Sequence, residues 1–316
     1  MSLLSFFQNQ PRLASGIVSL TTVGAVVAYW SKRELSKTCR RVPLSALPAA
    51  SACRNFIKGE GDATSIIPTP RGLEKSALLS SWSSEDGDKT HWIPSFVALQ
   101  VDVPVSLLAR YKHRDAGSDL ADNHDAFPLM QHLVAAFLDA RSTGPDSWLL
   151  DDKDVPPLAF APGAQLFGAK SGQGAFMLGA WASAKGKYLR PSDLPEGAAL
   201  PVCAFPSNEK VMRDADAAGA VMYWRAGTGA VRAVDNVASY GLPWRIMDGG
   251  FQEFMVEKVS KETARVTYVT VEAGNLYPGG QSERDFKMLP WLAYELHVFY
   301  AQYLLYNAIR RLRKGQ

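Results

Sequence analysis

The chain has 316 residues, 47% of them hydrophobic, and a net charge of +3, so it is long enough to bury a substantial core. The charge is unevenly distributed. Lys32–Arg41 contributes +4, from five basic residues less Glu34, and Arg310–Lys314 contributes another +4, so the remaining chain sums to −5. A nucleic-acid-binding domain concentrates its basic residues over the folded body. The pattern therefore argues against nucleic acid as a partner.

An uncharged stretch, Leu13–Trp30, lies between Arg12 and the basic segment Lys32–Arg41. A membrane-spanning helix needs roughly 17 to 25 mostly apolar residues, so we expect a single transmembrane anchor here. A signal peptide carries its positive charge before the apolar run, and a transit peptide is rich in arginine from its start. Both alternatives fit this segment less well than an anchor.

The basic flank also predicts the orientation of the chain. Lys and Arg mark the cytoplasmic side of a membrane helix, so we expect the soluble part to face the cytoplasm, from the endoplasmic reticulum membrane. The sequence holds no Asn-x-Ser/Thr acceptor, and its three cysteines, Cys39, Cys53 and Cys203, cannot form an even disulfide framework. Both features agree with a cytoplasmic domain.

We predict three regions: an anchor with its basic flank at 1–41, a tether at 42–91 and a ligand-binding domain at 92–316. The tether is rich in Pro, Gly, Ser and small charged residues, as in Ser83–Asp88.

The domain begins with a strand and a helix. Phe96–Val105 alternates apolar and smaller or polar residues, which predicts a strand. Phe127–Ala140 has apolar residues at helical spacing, with Asp125 as N-cap and Pro128 in the first turn. Short strands are expected at Leu158–Ala169, Ala175–Ala184, Ala218–Ala226 and Ala230–Val234.

The last third predicts a hairpin and a long helix. Phe251–Val259 and Ala264–Glu272 are rich in Val, Phe, Thr and Tyr and are joined by a polar turn. Leu289–Arg313 is apolar on nearly all sides, which predicts burial on both flanks against protein, lipid or an apolar ligand. A second membrane span is the alternative, but Glu295 and His297 lie within the helix, and charged groups at the centre of a span are costly.

The element order resembles the helix-grip arrangement of the START/Bet v 1-like (SRPBCC) superfamily. The resemblance rests on Val97–Val105 as the opening strand and on Phe251–Glu272, followed after a glycine-rich loop by Leu289–Arg313. It implies an α+β fold in which a curved antiparallel sheet wraps a long C-terminal helix around an apolar cavity. A lipocalin-like barrel with an appended helix is the structural alternative and implies the same class of lipophilic ligand.

Motifs for nucleotide cofactors, zinc and a serine-hydrolase triad are missing from the sequence, so we expect no cofactor. Asp151–Asp154 resembles part of the aspartate-rich Mg²⁺ motif of terpene cyclases, but it precedes prolines and a β-rich region, which favours an exposed loop. One region is dense in histidine and aspartate, and a surface loop with a helix cap explains it better than a metal site. It comprises His113, Asp122, His124, Asp125 and His132.

Glu295 and His297 are unusual because titratable groups inside an apolar helix must be paired, neutralised or exposed to a polar cavity. They lie about 200° apart around the helix, so they cannot form one acid–base pair. Polar and aromatic residues of the strands could line the same cavity, among them Arg225 and Glu272. We expect catalytic roles for His297, Glu295, Tyr223 and Arg245, and ligand-binding roles for Trp224, Trp244, Tyr268, Trp291 and Phe299.

Three functions remain open. The first is a cofactor-independent cyclase or isomerase, possibly a pericyclase, acting on a lipophilic terpenoid or polyketide intermediate at the membrane face. The second is lipid or sterol binding or transfer without catalysis. The third is a membrane-anchored assembly factor, which predicts no cavity and an exposed apolar patch. A polar group deep in the pocket favours the enzyme over the carrier.

Overall fold

The computed structural model describes residues 30–48, 51–58, 92–111, 125–142, 165–167, 174–183, 215–225, 249–275 and 291–314, with shorter pieces at 229, 231–233, 236, 240, 244–245 and 287–288.

The described part of the chain is built on a curved antiparallel sheet of seven strands. In sheet order these are β1 (Arg40–Arg41), β2 (Trp92–Pro104), β8 (Thr263–Asn275), β7 (Gly249–Lys258), β5 (Ala217–Arg225), β4 (Ala175–Ser183) and β3 (Gln165–Phe167). The long strands β2 and β8 pair over their whole length, from Trp92 opposite Asn275 to Pro104 opposite Thr263. A separate parallel pair joins β6 (Trp244–Arg245) and β9 (Lys287–Met288).

Two helices cover one face of the sheet, which we call the helix face. They are α4 (Ala126–Ser142) and α5 (Trp291–Lys314), and α3 (Val105–Ala109) leads from β2 towards them. The centre of this layer is aromatic, because the Phe137 ring of α4 lies 4.5 Å from Phe254, which stacks on Tyr268 at 4.9 Å. Side chains of both helices and of the sheet therefore fill the middle of the layer.

The opposite face, which we call the outer face, carries the alternate residues of the same strands. Trp181, Phe251 and Met255 form a second apolar cluster there, covered by Leu47 and by α2 (Ala52–Lys58). Alternation of side chains along each strand produces the two clusters. The described residues thus form three layers, in which the sheet lies between α4 and α5 on one face and α2 on the other.

Residues before β2 also contact the sheet. The helical residues 30–38, here α1, lead into β1, which pairs with β2 at Arg40 opposite Gln100. Ser51 and Cys53, in the region predicted as a tether, hydrogen-bond to the Glu253 carboxyl group on the outer face. Parts of the predicted basic flank and of the predicted tether therefore pack on the folded body.

Several element predictions are confirmed. The opening strand, the helix after Asp125, the late hairpin and the long C-terminal helix all form, each within a few residues of its predicted bounds. The fold class is confirmed as α+β with a curved antiparallel sheet and a C-terminal helix. The strand predicted at Ala230–Val234 is wrong, because residues 231–233 are helical. Ala and Arg favour a helix, and a run of five residues is too short to distinguish the helical period of 3.6 residues from the strand period of 2.

Other predictions fall outside the described residues. These include the anchor Leu13–Trp30 apart from its last residue, the aspartate run Asp151–Asp154, and the loop positions His113, Asp122 and His124. Among the helices that the structure does describe, none is both long enough and apolar enough for a membrane span.

Candidate functional site

A buried carboxyl group meets a histidine between the sheet and α5. Glu272 on β8 is 0% exposed, and His297 on the second turn of α5 has an 18% exposed side chain. His297 Nε2 lies in direct contact with Glu272 Oε1, and Thr270 Oγ1 donates to the same oxygen at 3.5 Å. Glu272 reaches the helix face because its neighbours Val271 and Ala273 belong to the outer face.

Trp224 joins this site across the sheet because a glycine stands between it and Glu272. Trp224 pairs with Gly250, and Gly250 pairs with Glu272, in one row across β5, β7 and β8. A Cβ at Gly250 would lie 2.9 Å from Trp224 Nε1, 3.1 Å from Glu272 Cα and 2.1 Å from the Val271 carbonyl oxygen. The indole nitrogen therefore lies over the glycine, next to the strand that carries Glu272.

Gln252 belongs to the neighbouring row on the same face. It is 8% exposed and pairs with Thr270, two residues before Glu272. Three groups at this end of the helix face hold a buried polar atom without a hydrogen-bond partner in the described part of the chain. These atoms are Trp224 Nε1, Gln252 Oε1 and Glu272 Oε2, whereas the buried His297 Nε2 has Glu272 Oε1 as its neighbour.

This concentration is unusual because most buried polar groups are hydrogen-bonded. Each buried donor or acceptor left without a partner costs about 1 to 3 kcal/mol. The described residues contain one further atom of this kind, Gln302 Oε1, which lies farther along α5. The other three gather where the sheet meets the start of α5, as expected of groups that bind a polar part of a ligand.

A second buried carboxyl group, Glu253, points to the outer face and is fully bonded. It is 0% exposed, and it accepts hydrogen bonds from Ser51 Oγ at 2.6 Å, Ala52 N at 2.9 Å, Cys53 N at 3.0 Å and Trp181 Nε1 at 2.8 Å. Burial raises the pKa of Glu253, and the four hydrogen bonds oppose that shift. Glu253 fixes the start of α2 to the sheet and has no free acceptor for a ligand, so its role is structural.

The two titratable residues predicted as catalytic on α5 lie on different sides of the helix, as their separation of about 200° indicates. His297 faces Glu272, whereas Glu295 is an ion-pair partner of Lys32 on α1, with Nζ–Oε2 at 2.5 Å. Tyr223 lies on the outer face, buried with Phe251, so the structure does not bring it near His297.

The predicted ligand-binding residues also differ in position. Trp224 is at the site described above. Tyr268 is 1% exposed and packs within the aromatic core, where burial raises its pKa. Phe299 is half-buried and Trp291 is 76% exposed. Trp244 and Arg245 form β6, and their side chains lie outside the described residues.

Sequence reasoning named Glu272 only among several strand residues and did not name Gln252 or Thr270. The available signal was the alternation of side chains along a strand, because Gln252, Thr270 and Glu272 point to the same face of the β7–β8 hairpin as Gly250. The sequence does not say which of the two faces meets the helices.

No metal centre is evident in the described part of the chain, which contains no group of three or more His, Cys, Asp or Glu side chains placed to hold an ion. His132, from the histidine-dense region, is buried on α4, with its Nδ1 2.7 Å from the Leu108 carbonyl oxygen. This contact agrees with a structural role. Cys39 and Cys53 are free and buried, and burial raises the pKa of Cys39 to about 12.

Comparison of the chain with protein families, with curated proteins and with solved structures found no match in any of the three. The helix-grip resemblance therefore rests on the architecture alone, with which the seven-stranded sheet and C-terminal helix are compatible.

Proposed function

We propose that this protein is a cofactor-independent isomerase or cyclase that binds a lipophilic small molecule between the sheet and the start of α5. The observation that carries the proposal is the fully buried Glu272, which has an unpartnered Oε2 and has His297 beside it. A passive carrier of an apolar lipid has no need for a carboxyl group at this depth. Buried titratable groups that face a ligand are typical of proton-transfer sites.

The chemistry that fits these residues is a proton shift with no change in elemental composition. In its carboxylate form, Glu272 removes a proton from a carbon beside a carbonyl group of the ligand, and the electron pair of that C–H bond moves onto the carbonyl oxygen. A proton from the Glu272 carboxyl group, which has exchanged with solvent, then adds to a different carbon of the enolate, so the double bond moves and the carbonyl group re-forms. For a cyclisation, the enolate carbon instead attacks an electron-poor double bond of the same molecule, and the exchanged proton adds to the carbanion that this attack creates. His297 positions the carboxyl group in this scheme.

The remaining polar groups set a requirement on the ligand. The Trp224 indole N–H can donate only, and Gln252 Oε1 can accept only. Together they suit an apolar molecule that carries a carbonyl oxygen and a hydroxyl group at one end, as oxygenated terpenoids and polyketides do. The wrapped apolar cavity of a helix-grip fold would hold the rest of such a molecule, and this finer element of the resemblance is part of the proposal.

The test is solvent-deuterium incorporation. Full-length protein is incubated in D₂O with the hexane-soluble extract of cells of its source organism, and the extract is analysed by untargeted liquid chromatography and mass spectrometry. We expect at least one product that is an isomer of a compound in the extract and carries one deuterium. Glu272→Gln should reduce its formation at least a hundredfold, and His297→Gln at least tenfold.

The matched control is Glu257→Gln, which removes a half-buried carboxylate from the adjacent strand β7, away from the site. It should leave product formation unchanged. The proposal is overturned if no deuterated isomer forms, or if wild type and Glu272→Gln form it equally. Because His297 is partly exposed, His297→Gln provides a second variant if Glu272→Gln does not fold.

A further inference from the structure

The first turns of α5 carry large apolar side chains on the side that points away from the sheet, into solvent. Trp291 is 76% exposed, Leu292 63% and Leu296 61%. At 100° per residue these three positions fall within a sector of about 140°. His297 points the other way, towards the sheet. The start of α5 therefore presents an apolar stripe that the described residues leave exposed, and burial of this flank against lipid or a ligand stays a prediction.

The acidic residue within this stripe is paired. Glu295 lies between Trp291 and Leu296 around the helix, and its Oε2 is 2.5 Å from Lys32 Nζ of α1. The ion pair offsets the negative charge at the one acidic position of the stripe.

The same ion pair places α1 beside the stripe. Further contacts fix this arrangement, because Gln302 Nε2 donates to the Cys39 carbonyl oxygen at 3.0 Å and Arg41 donates to the Tyr294 hydroxyl group. Trp30, at the first described residue of α1, is 52% exposed, and the Arg33 guanidinium carbon lies 5.2 Å from the centroid of its ring. Aromatic and basic side chains therefore adjoin the apolar stripe.

We propose that this face docks on the surface of an anionic lipid bilayer. Exposed Trp and Leu side chains next to Lys and Arg have the composition of helices that lie in the membrane interface, and basic residues there are attracted by anionic headgroups. The uncharged sequence Leu13–Trp30 also ends at this face. We call it the interfacial face and define it by Trp30, Lys32, Arg33, Trp291, Leu292 and Leu296. The inference does not depend on the proposed catalysis.

Photocrosslinking tests the docking in the full-length protein. Benzoylphenylalanine is introduced at Leu296, and the protein is reconstituted into vesicles of phosphatidylcholine and phosphatidylserine at 7:3. The control position is Val259, a 50% exposed apolar residue in the β7–β8 turn. Strand rise places it about 30 Å along β7 from Gly250. Any anchor at the N-terminus is common to both proteins.

We expect at least fivefold more lipid adduct from position 296 than from position 259. Vesicles of phosphatidylcholine alone should reduce the adduct at 296 at least twofold, because the basic residues then lack their counter-charge. Equal lipid yields at the two positions, or an adduct at 296 with protein instead of lipid, would overturn the proposal. Equal yields in the two kinds of vesicle would overturn its anionic component.

Discussion

Replacing Glu253 by Gln tests whether this carboxyl group holds α2 on the sheet. Oε1 accepts from Ala52 N and Trp181 Nε1, and Oε2 accepts from Ser51 Oγ and Cys53 N. An amide has one accepting end and one donating end. In either orientation of the substituted amide, its NH₂ group therefore faces a backbone N–H that cannot reverse its role, that of Ala52 or that of Cys53.

The expected cost follows from that count. With the NH₂ group at the Oε2 position, one buried N–H, that of Cys53, loses its acceptor, which costs about 1 to 3 kcal/mol. With the NH₂ group at the Oε1 position, the N–H groups of both Ala52 and Trp181 lose theirs. The orientation that turns the NH₂ group to Ser51 is the less costly, because a hydroxyl group can rotate and accept whereas the Trp181 indole cannot. We therefore expect Glu253→Gln to lower the free energy of unfolding by about 2 kcal/mol at pH 7.

The assay is a urea titration of the full-length protein in a mild detergent, followed by tryptophan fluorescence. Glu257→Gln on the same strand is the matched control, because Glu257 is only half-buried, and it should change stability by no more than about 0.5 kcal/mol. If Glu253→Gln costs as little as Glu257→Gln, the geometric argument is refuted, and so is the structural role assigned to Glu253.

Three further predictions concern the same layer. Gly219→Ala should destabilise the protein by about 2 kcal/mol or more, because its Cβ would lie 2.4 Å from the Trp181 ring, whereas Gly179→Ala, with nothing within 4 Å, should change stability by less than about 0.5 kcal/mol; comparable urea midpoints for the two variants would contradict this. The pKa of Glu253 is raised above its ordinary value of 4.5, so the folded protein binds that proton more tightly than the unfolded chain, and the resulting stability is lost as pH rises from 4.5 through the folded pKa. The stability difference between wild type and Glu253→Gln should therefore be larger at pH 4 than at pH 7, and an opposite trend in urea titrations would show that the hydrogen bonds outweigh burial. Burial raises the pKa of Cys53 well above its ordinary range, so mass spectrometry should find this thiol unmodified by iodoacetamide at pH 8 in the folded protein and modified in urea; rapid alkylation of the folded protein would contradict its burial.

The sequence predicted the elements whose periodicity is strong and local. The β7–β8 hairpin alternates over two runs joined by a polar turn, and α5 has apolar residues over many turns, so both were predictable. The packing of residues 40–48 and 51–58 on the sheet was not. It depends on contacts with distant residues, such as those of Ser51 and Cys53 with Glu253, and a segment rich in proline and alanine carries no periodic signal for them.

The candidate site was predictable in part. His297 was noticeable because a titratable group inside an apolar helix needs a partner, and Glu272 was among the strand residues considered. Their contact could not be derived from the sequence, because it depends on which face of β8 meets α5 and on which residue of β8 lies opposite His297. Gly250 illustrates the same limit, since its lack of a side chain matters only once Trp224 lies over it.

The most direct test of the central claim is native mass spectrometry of the full-length protein and of Gln252→Leu, followed by organic extraction of whatever is bound. Removing an unpartnered buried acceptor should preserve or raise stability, so a loss of ligand in this variant cannot be ascribed to unfolding. We predict that the wild-type protein carries a small molecule with an apolar skeleton and an oxygen function, and that its occupancy falls at least fivefold in Gln252→Leu. A wild-type protein without any bound molecule, or equal occupancy in both proteins, would contradict a ligand site at Glu272 and His297.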